Sequence, residues 1–97
     1  MGARPVAGGK VAVAAVLMYS ARVCPYCRLA AALLARKGAR VNTVLVDEDR
    51  ARRDEMLRRT GRRTVPQIFI GDRYVGGYTE LAELDHEGGL DALLAAP

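Results

Sequence analysis

Tryptophan is absent from this 97-residue chain, phenylalanine occurs once and tyrosine four times. So few rings leave little stacking surface for nucleic acid, and that function is set aside despite a net charge of +4. The charge comes from thirteen arginines against two lysines, spread along the chain rather than gathered in one tract. It suits mildly anionic small substrates, and a bias of this kind also follows genomic base composition. Long hydrophobic runs are missing too. The run Val11 to Tyr19 is nine residues, too short to span a bilayer, so no membrane association is expected. With Arg4 and Lys10 before it and Ser20-Ala21 after it, the run has the outline of a secretory signal peptide. Cleavage there would leave Cys24 almost at the new terminus and remove the only candidate for a first strand. Val6 stands where a myristoylation signal needs Ser or Thr. Repeats and low-complexity segments are lacking, so one domain is expected over residues 10–97, behind a disordered extension over 1–9, in the cytoplasm.

Cysteine is scarce as well, and the two that exist form one motif, Cys24-Pro25-Tyr26-Cys27. The strand-like run to Tyr19 precedes it, and the helical spacing of Leu29, Ala32 and Leu33 follows it. Pro25 suits the first helical position, where its missing N–H would have no partner. Cys24 is therefore expected at a helix N-terminus, with Cys27 one turn inside on the same face. Thiol chemistry needs this placement because the thiolate is the nucleophile, and a free thiol of pKa about 8.5 is only slightly ionised near neutrality. Unpaired N–H groups and the helix dipole favour the anion, and in such motifs the first pKa falls to roughly 3.5–7.5. Cys24 is the expected attacker and Cys27 the resolving thiol, with Arg22 and Arg28 adding to the positive field.

Other uses of two thiols compete with exchange. A zinc site within one chain would need two more ligands, and only His86 is available beside the cysteines, at a helix end where a solvent position fits better. A purely structural disulfide closing so short a loop would stabilise little. Metal shared between two chains stays open at this point.

The remaining pattern is alternately strand and helix. A helix over about Pro25 to Lys37 stops at Gly38, and Arg40 to Val46 reads as a second strand, parallel to the first. Asp47-Glu48-Asp49 can cap a helix over about Arg50 to Thr60, whose Asp54/Arg58 and Glu55/Arg59 spacings suit i,i+4 ion pairs on a solvated face. Gln67 to Ile70 and Arg73 to Val75 flank Gly71-Asp72 as an antiparallel hairpin. Thr79 can cap a helix from Glu80 to His86, and Leu90 to Ala95 form a last segment after Gly88-Gly89. These elements make an α/β chain with a four-stranded mixed sheet flanked by helices.

On Tyr19-Ser20 with Cys-Pro-Tyr-Cys, on Gly61-Arg62-Arg63-Thr64-Val65-Pro66-Gln67-Ile68-Phe69-Ile70, and on Val75-Gly76-Gly77-Tyr78-Thr79-Glu80-Leu81, the chain resembles the dithiol glutaredoxins of the small bacterial type, over about Val11 to Leu94. The resemblance implies a thioredoxin-like fold, with Pro66 following a cis peptide bond beside the cysteines and the Val65 backbone turned to a peptide-like ligand. Carried onto this sequence, the ligand is glutathione. Its sulfur would bond to Cys24 and its cysteinyl backbone would pair with Val65. Tyr26, Thr64 and Pro66 would line the groove, and Arg62 would face the glycine carboxylate. Gly77, Tyr78 and Thr79 would hold the γ-glutamyl carboxylate at a helix start. The chain departs from the pattern at Ala21, where many relatives carry lysine and Arg22 is the nearest cation. It departs again at Tyr78-Thr79-Glu80, where close relatives have Cys-Asp-Asp. Glu80 is then either an ion partner for the ligand's ammonium or a helix-start residue.

The resemblance implies a glutathione-dependent thiol–disulfide oxidoreductase acting on protein–glutathione mixed disulfides and protein disulfides, with glutathione as reductant and no metal. It implies a potential of about −200 to −230 mV, and ribonucleotide reductase among the protein partners. The alternatives are a thioredoxin-reductase-dependent redoxin, which needs no glutathione groove, and a carrier in which two chains hold a [2Fe-2S] cluster through Cys24 and glutathione. Pro25 disfavours the carrier.

Overall fold

Side chains on a strand point alternately to opposite faces, and in β1 (Val16–Ser20) this sorts Val16 and Met18 into one apolar cluster and Tyr19 into another. The computed structural model describes residues 13–96, so the expected extension over 1–9 lies outside the described residues. After β1 come α1 (Pro25–Arg36), β2 (Val41–Leu45), α2 (Arg50–Thr60), β3 (Gln67–Ile70), β4 (Arg73–Gly76), α3 (Tyr78–His86) and α4 (Gly89–Ala95). The sheet order is β2-β1-β3-β4. β1 runs parallel to β2, with Val16 opposite Val41, and antiparallel to β3, with Val16 opposite Ile70. β4 returns antiparallel to β3 through Gly71-Asp72. This is the four-stranded mixed sheet flanked by helices that the sequence implies.

Helices cover both faces. On one, Ala30, Leu33 and Leu34 of α1, Leu81 of α3, and Leu90 and Leu94 of α4 pack on Val16, Met18, Ile68 and Ile70. Each of these side chains larger than alanine, once out of water, contributes about 1.5–3 kcal/mol, so this face holds most of the fold's apolar stabilisation. On the other, Met56 of α2 joins Tyr19, Val46 and Phe69. Helix ends follow local chemistry: the Asp49 carboxylate accepts from the Arg52 N–H at 3.3 Å, and Gly61, at φ 73°, closes α2.

Three local expectations change. Of the strand-like run from Val11, residues 11 and 12 lie outside the described residues; β1 begins at Val16, opposite Ile70 of β3, and the N–H groups of Val13 and Ala14 turn to the Leu94 carbonyl, at 2.9 and 3.0 Å. The ion pairs Asp54/Arg58 and Glu55/Arg59 do not form among the described residues. Glu55 is held by Arg52 at 3.0 Å and by the Tyr19 hydroxyl, while Arg59 donates to that hydroxyl at 2.9 Å and lies over the Phe69 ring at 3.9 Å. Finally, α3 starts at Tyr78 with Gly77 as its cap, so Thr79 sits inside the first turn.

Candidate active site

β1 delivers the chain to the cysteines through the short turn Ala21 to Val23. Cys24 is the N-cap of α1, in extended backbone at φ −152° and ψ 101°, and Pro25 takes the first helical position. N-caps normally offer an oxygen to the orphan N–H groups of the first turn; here the acceptor is sulfur. The Cys27 N–H donates to Cys24 Sγ at 3.2 Å. Both cysteines are unbonded and buried, Cys24 at 9 % exposure and Cys27 at 4 %. Burial first, then the neighbouring Cys24 sulfur, push the Cys27 thiol up, so Cys27 holds its proton. Cys24 Sγ lies 3.8 Å from the Val65 carbonyl, and the Val65–Pro66 peptide is cis.

A groove of about 230 Å³ opens beside this pair. Tyr26 forms one wall, its ring 6.1 Å from that of Tyr78. Thr64, Val65 and Pro66 form the floor, and Gly77, Tyr78 and Thr79 the far end. Arg62 lines it as well, so all eight residues assigned to ligand binding come together in one groove. Gln67 and Glu80 complete its lining. Gln67 reads from the sequence only as the start of a strand. Its signal is polarity at a position 1 % exposed: its amide donates to the Thr64 hydroxyl at 3.2 Å and accepts from the Tyr74 hydroxyl, fixing the groove floor from behind.

Glu80, at one of the departures noted above, takes part in the start of α3. Its Oε1 accepts the Gly77 N–H at 2.7 Å, so the cap of α3 is supplied from within the helix. The same oxygen lies 3.6 Å from Arg62 Nη1. The Gly77 N–H bond, with Arg62 adding to it, holds the Glu80 carboxyl below the usual carboxylate range. With the Gly77 N–H engaged, the N–H groups of Tyr78 and Thr79 are the ones this helix start offers to an anion. Arg22 does not turn to the groove: it pairs with Glu48 at 3.1 Å and Asp47 at 3.5 Å. His86 ends α3, exposed, and among the described residues no cluster of three or more His, Cys, Asp or Glu could hold a metal ion. No helix among them is long and apolar enough to cross a membrane.

A family profile described as Glutaredoxin matches residues 16–75. The chain is 48 % identical over 82 residues to Glutaredoxin 3 of Escherichia coli K12, covering 84 % of this chain and 99 % of that protein. It is 46 % identical over 80 residues to a glutaredoxin of Neisseria meningitidis serogroup B, covering 81 % and 94 %. Among solved structures, the glutaredoxin of Brucella melitensis superposes with a TM-score of 0.75 at 47 % identity, covering 93 % of this chain and 95 % of that one. A buckwheat glutaredoxin–glutathione complex superposes at 0.77 with 31 % identity, covering 86 % and 78 %. Likenesses that run through the cysteine motif and cover 78–99 % of these relatives leave one conclusion: the chain belongs to the glutaredoxin family, the glutathione-dependent thiol–disulfide oxidoreductases.

Proposed function

We propose that Cys24 is the attacking thiolate and Cys27 the resolving thiol, with glutathione held in the groove between Arg62 and the start of α3. The observation that carries this reading is the asymmetry of the two sulfurs. Cys24 receives the Cys27 N–H at the positive end of a helix, whereas burial and the adjacent sulfur keep the Cys27 proton in place. On a protein–glutathione mixed disulfide, Cys24 attacks the glutathione sulfur and the protein thiol leaves with a proton. A second glutathione thiolate then attacks the glutathione sulfur, forming glutathione disulfide and freeing Cys24. On a protein disulfide, Cys24 opens the bond and Cys27 displaces the substrate, leaving an internal disulfide that two glutathiones reduce.

The groove suits this ligand end to end. Bound through sulfur at Cys24, glutathione would run its cysteinyl backbone along Val65 and place its glycine carboxylate at Arg62. Its γ-glutamyl carboxylate would meet the Tyr78 and Thr79 N–H groups and the Thr79 hydroxyl. Tyr26 and Tyr78 would shield the sulfurs, and Pro66 with Thr64 would form the floor. The substrates are glutathionylated and disulfide-containing proteins of the cytoplasm, with ribonucleotide reductase as one electron acceptor by family analogy. The family membership favours this chemistry over a cluster carrier or a redoxin served by thioredoxin reductase.

The test is NADPH consumption with glutathione, glutathione reductase and a small glutathione mixed disulfide, with thioredoxin reductase substituted in the control. Turnover with glutathione alone is expected. Turnover only with thioredoxin reductase would refute the groove assignment.

A further inference from the structure

Among the residues that line the groove, Arg62 and Glu80 alone carry formal charges, one of each sign. They face each other: Arg62 Nη1 lies 3.6 Å from Glu80 Oε1, and the same oxygen accepts the Gly77 N–H at 2.7 Å. Two glycines leave room for the Glu80 side chain to fold back in this way. A Cβ at Gly76 would come within 2.8 Å of Glu80 Oε1, and one at Gly77 within 3.4 Å. Glu80 thus makes for itself the two contacts that a bound carboxylate would seek, an N–H at the start of α3 and a guanidinium. The two contacts differ in strength. The N–H bond is short and charge-assisted, whereas the ion pair is long and its side chains are open to solvent, Arg62 at 47 % and Glu80 at 41 %. The ion pair is the one that yields.

Given glutathione in this groove, the reading on which this step rests, we propose that Glu80 is an affinity-setting residue, an internal carboxylate that competes with the ligand's glycine carboxylate for Arg62. Glutathione brings two carboxylates and one ammonium, a net negative charge, to a groove whose own charges cancel. Arg62 therefore gives the ligand only the difference between a new ion pair and the one it leaves. Without the Glu80 charge the groove is cationic, and the ligand's approach breaks no pair. Glu80 itself stays on the Gly77 N–H while Arg62 changes partner, so the start of α3 keeps its shape throughout. Loading and release are thereby balanced. Each turnover on a mixed disulfide ends with glutathione disulfide leaving the groove, and the carboxylate that weakens binding is also the one that takes Arg62 back.

The test is the KM for glutathione in the coupled NADPH assay, measured for the parent, Glu80→Gln, Arg62→Ala and the double variant. Glutamine keeps an oxygen for the Gly77 N–H, as it does at this position of other helix starts, and removes only the charge that holds Arg62. Glu80→Gln should lower the KM about two- to threefold, the value of a half-exposed ion pair. In Arg62→Ala protein the same substitution should leave the KM unchanged, so that Arg62→Ala raises the KM by a larger factor in the glutamine background than in the parent. Salt at about 1 M, which screens charges beyond about 3 Å, should erase the gain. A KM that rises in Glu80→Gln overturns the proposal by marking Glu80 as a partner of the ligand's ammonium. An unchanged KM overturns it as well, and so does a fall of equal size with and without Arg62, which would be a general effect of charge. A parent without glutathione-supported turnover refutes the groove assignment and this step with it, whereas a parent that turns over and responds to Arg62→Ala but not to Glu80→Gln refutes the competition alone.

Discussion

Gly76 and Gly77 stand side by side at the end of the groove, yet adding one methyl to each should have different consequences. Gly76 has φ +118°, a region open to glycine and strained for other residues. A Cβ there would also lie 2.8 Å from Glu80 Oε1 and 3.0 Å from its Cγ. Gly76→Ala must therefore pay about 1–3 kcal/mol of backbone strain. It must also displace the Glu80 carboxylate from the Gly77 N–H, at the cost of a helix cap of about 1 kcal/mol. A total of about 2–4 kcal/mol lowers Tm by roughly 8–32 °C in a domain of this size. Gly77 has φ −93°, which alanine adopts freely, and its Cβ would sit 3.3 Å from the Pro66 carbonyl oxygen and 3.4 Å from Glu80 Oε1. Those neighbours need to give only a few tenths of an ångström. Gly77→Ala should cost less than about 1 kcal/mol, with its main effect a higher KM for glutathione. Differential scanning fluorimetry and the coupled NADPH assay measure the two quantities. Equal Tm losses in the two variants would refute the argument, since only one position combines a positive φ with a close approach.

Cys24→Ser should abolish both glutathione mixed-disulfide and protein-disulfide reduction, whereas Cys27→Ser should abolish only the second; equal loss in the two variants would sink the assignment of roles. Arg62→Ala should raise the KM for glutathione by about two- to fivefold, the value of a half-exposed charge pair, and added salt should narrow the difference between variant and parent. An unchanged KM would argue against a carboxylate at Arg62. The Glu80 carboxyl is held below its ordinary value by the Gly77 N–H and Arg62. A depressed folded-state pKa supplies stability that is present above the unfolded value of about 4.3 and lost as pH falls through the folded one. Acid unfolding curves of Glu80→Gln should lack that component below about pH 4.3, and a curve parallel to the parent's would refute it.

The cysteine site was the most legible part of the sequence, because proline at the first helical position and a 3.6-residue apolar spacing specify a helix start without help from the rest of the chain. The groove is harder to read by physics alone: its residues come from α1, from the segment before β3 and from the start of α3, and only the sheet brings these together. Local pairing rules failed where a tertiary partner was stronger. The spacing of Glu55 and Arg59 says that they can meet on a helix, but Tyr19 and Phe69 beneath them offer a hydroxyl and a ring face, and both side chains turn there. Thr79 has the chemistry of a cap, yet Glu80 reaches back to the Gly77 N–H and starts the helix earlier. Val13 and Ala14 continue the strand-like composition toward the N-terminus, but their N–H groups turn to the Leu94 carbonyl, and the ladder of β1 with β3 runs only as far as Ile70, opposite Val16.

Tyr19 shows how the strand that leads to the cysteines also anchors a helix on its other face, and the separation can be tested. Tyr19 is fully buried, and its hydroxyl donates to Glu55 and accepts from Arg59, which ties α2 to the sheet. Burial and the Glu55 contact raise its pKa, so the hydroxyl remains a donor at any physiological pH. Tyr19→Phe keeps the ring against Phe69, which meets it edge-on at 6.3 Å, and removes only the oxygen. Glu55 keeps Arg52, and Arg59 keeps its ring contact, so the cost is confined to one hydroxyl with charged partners, about 1–3 kcal/mol. Tm should fall by about 4–8 °C for each kcal/mol lost. Exchange rates at a temperature where both proteins are folded should not change, because the hydroxyl lies on the face of the sheet opposite the sulfurs. A Tm loss accompanied by a matching loss of protein-disulfide reduction would mean that α2 and the cysteine helix are coupled through the sheet, and that alternation along β1 does not insulate the chemistry from the scaffold.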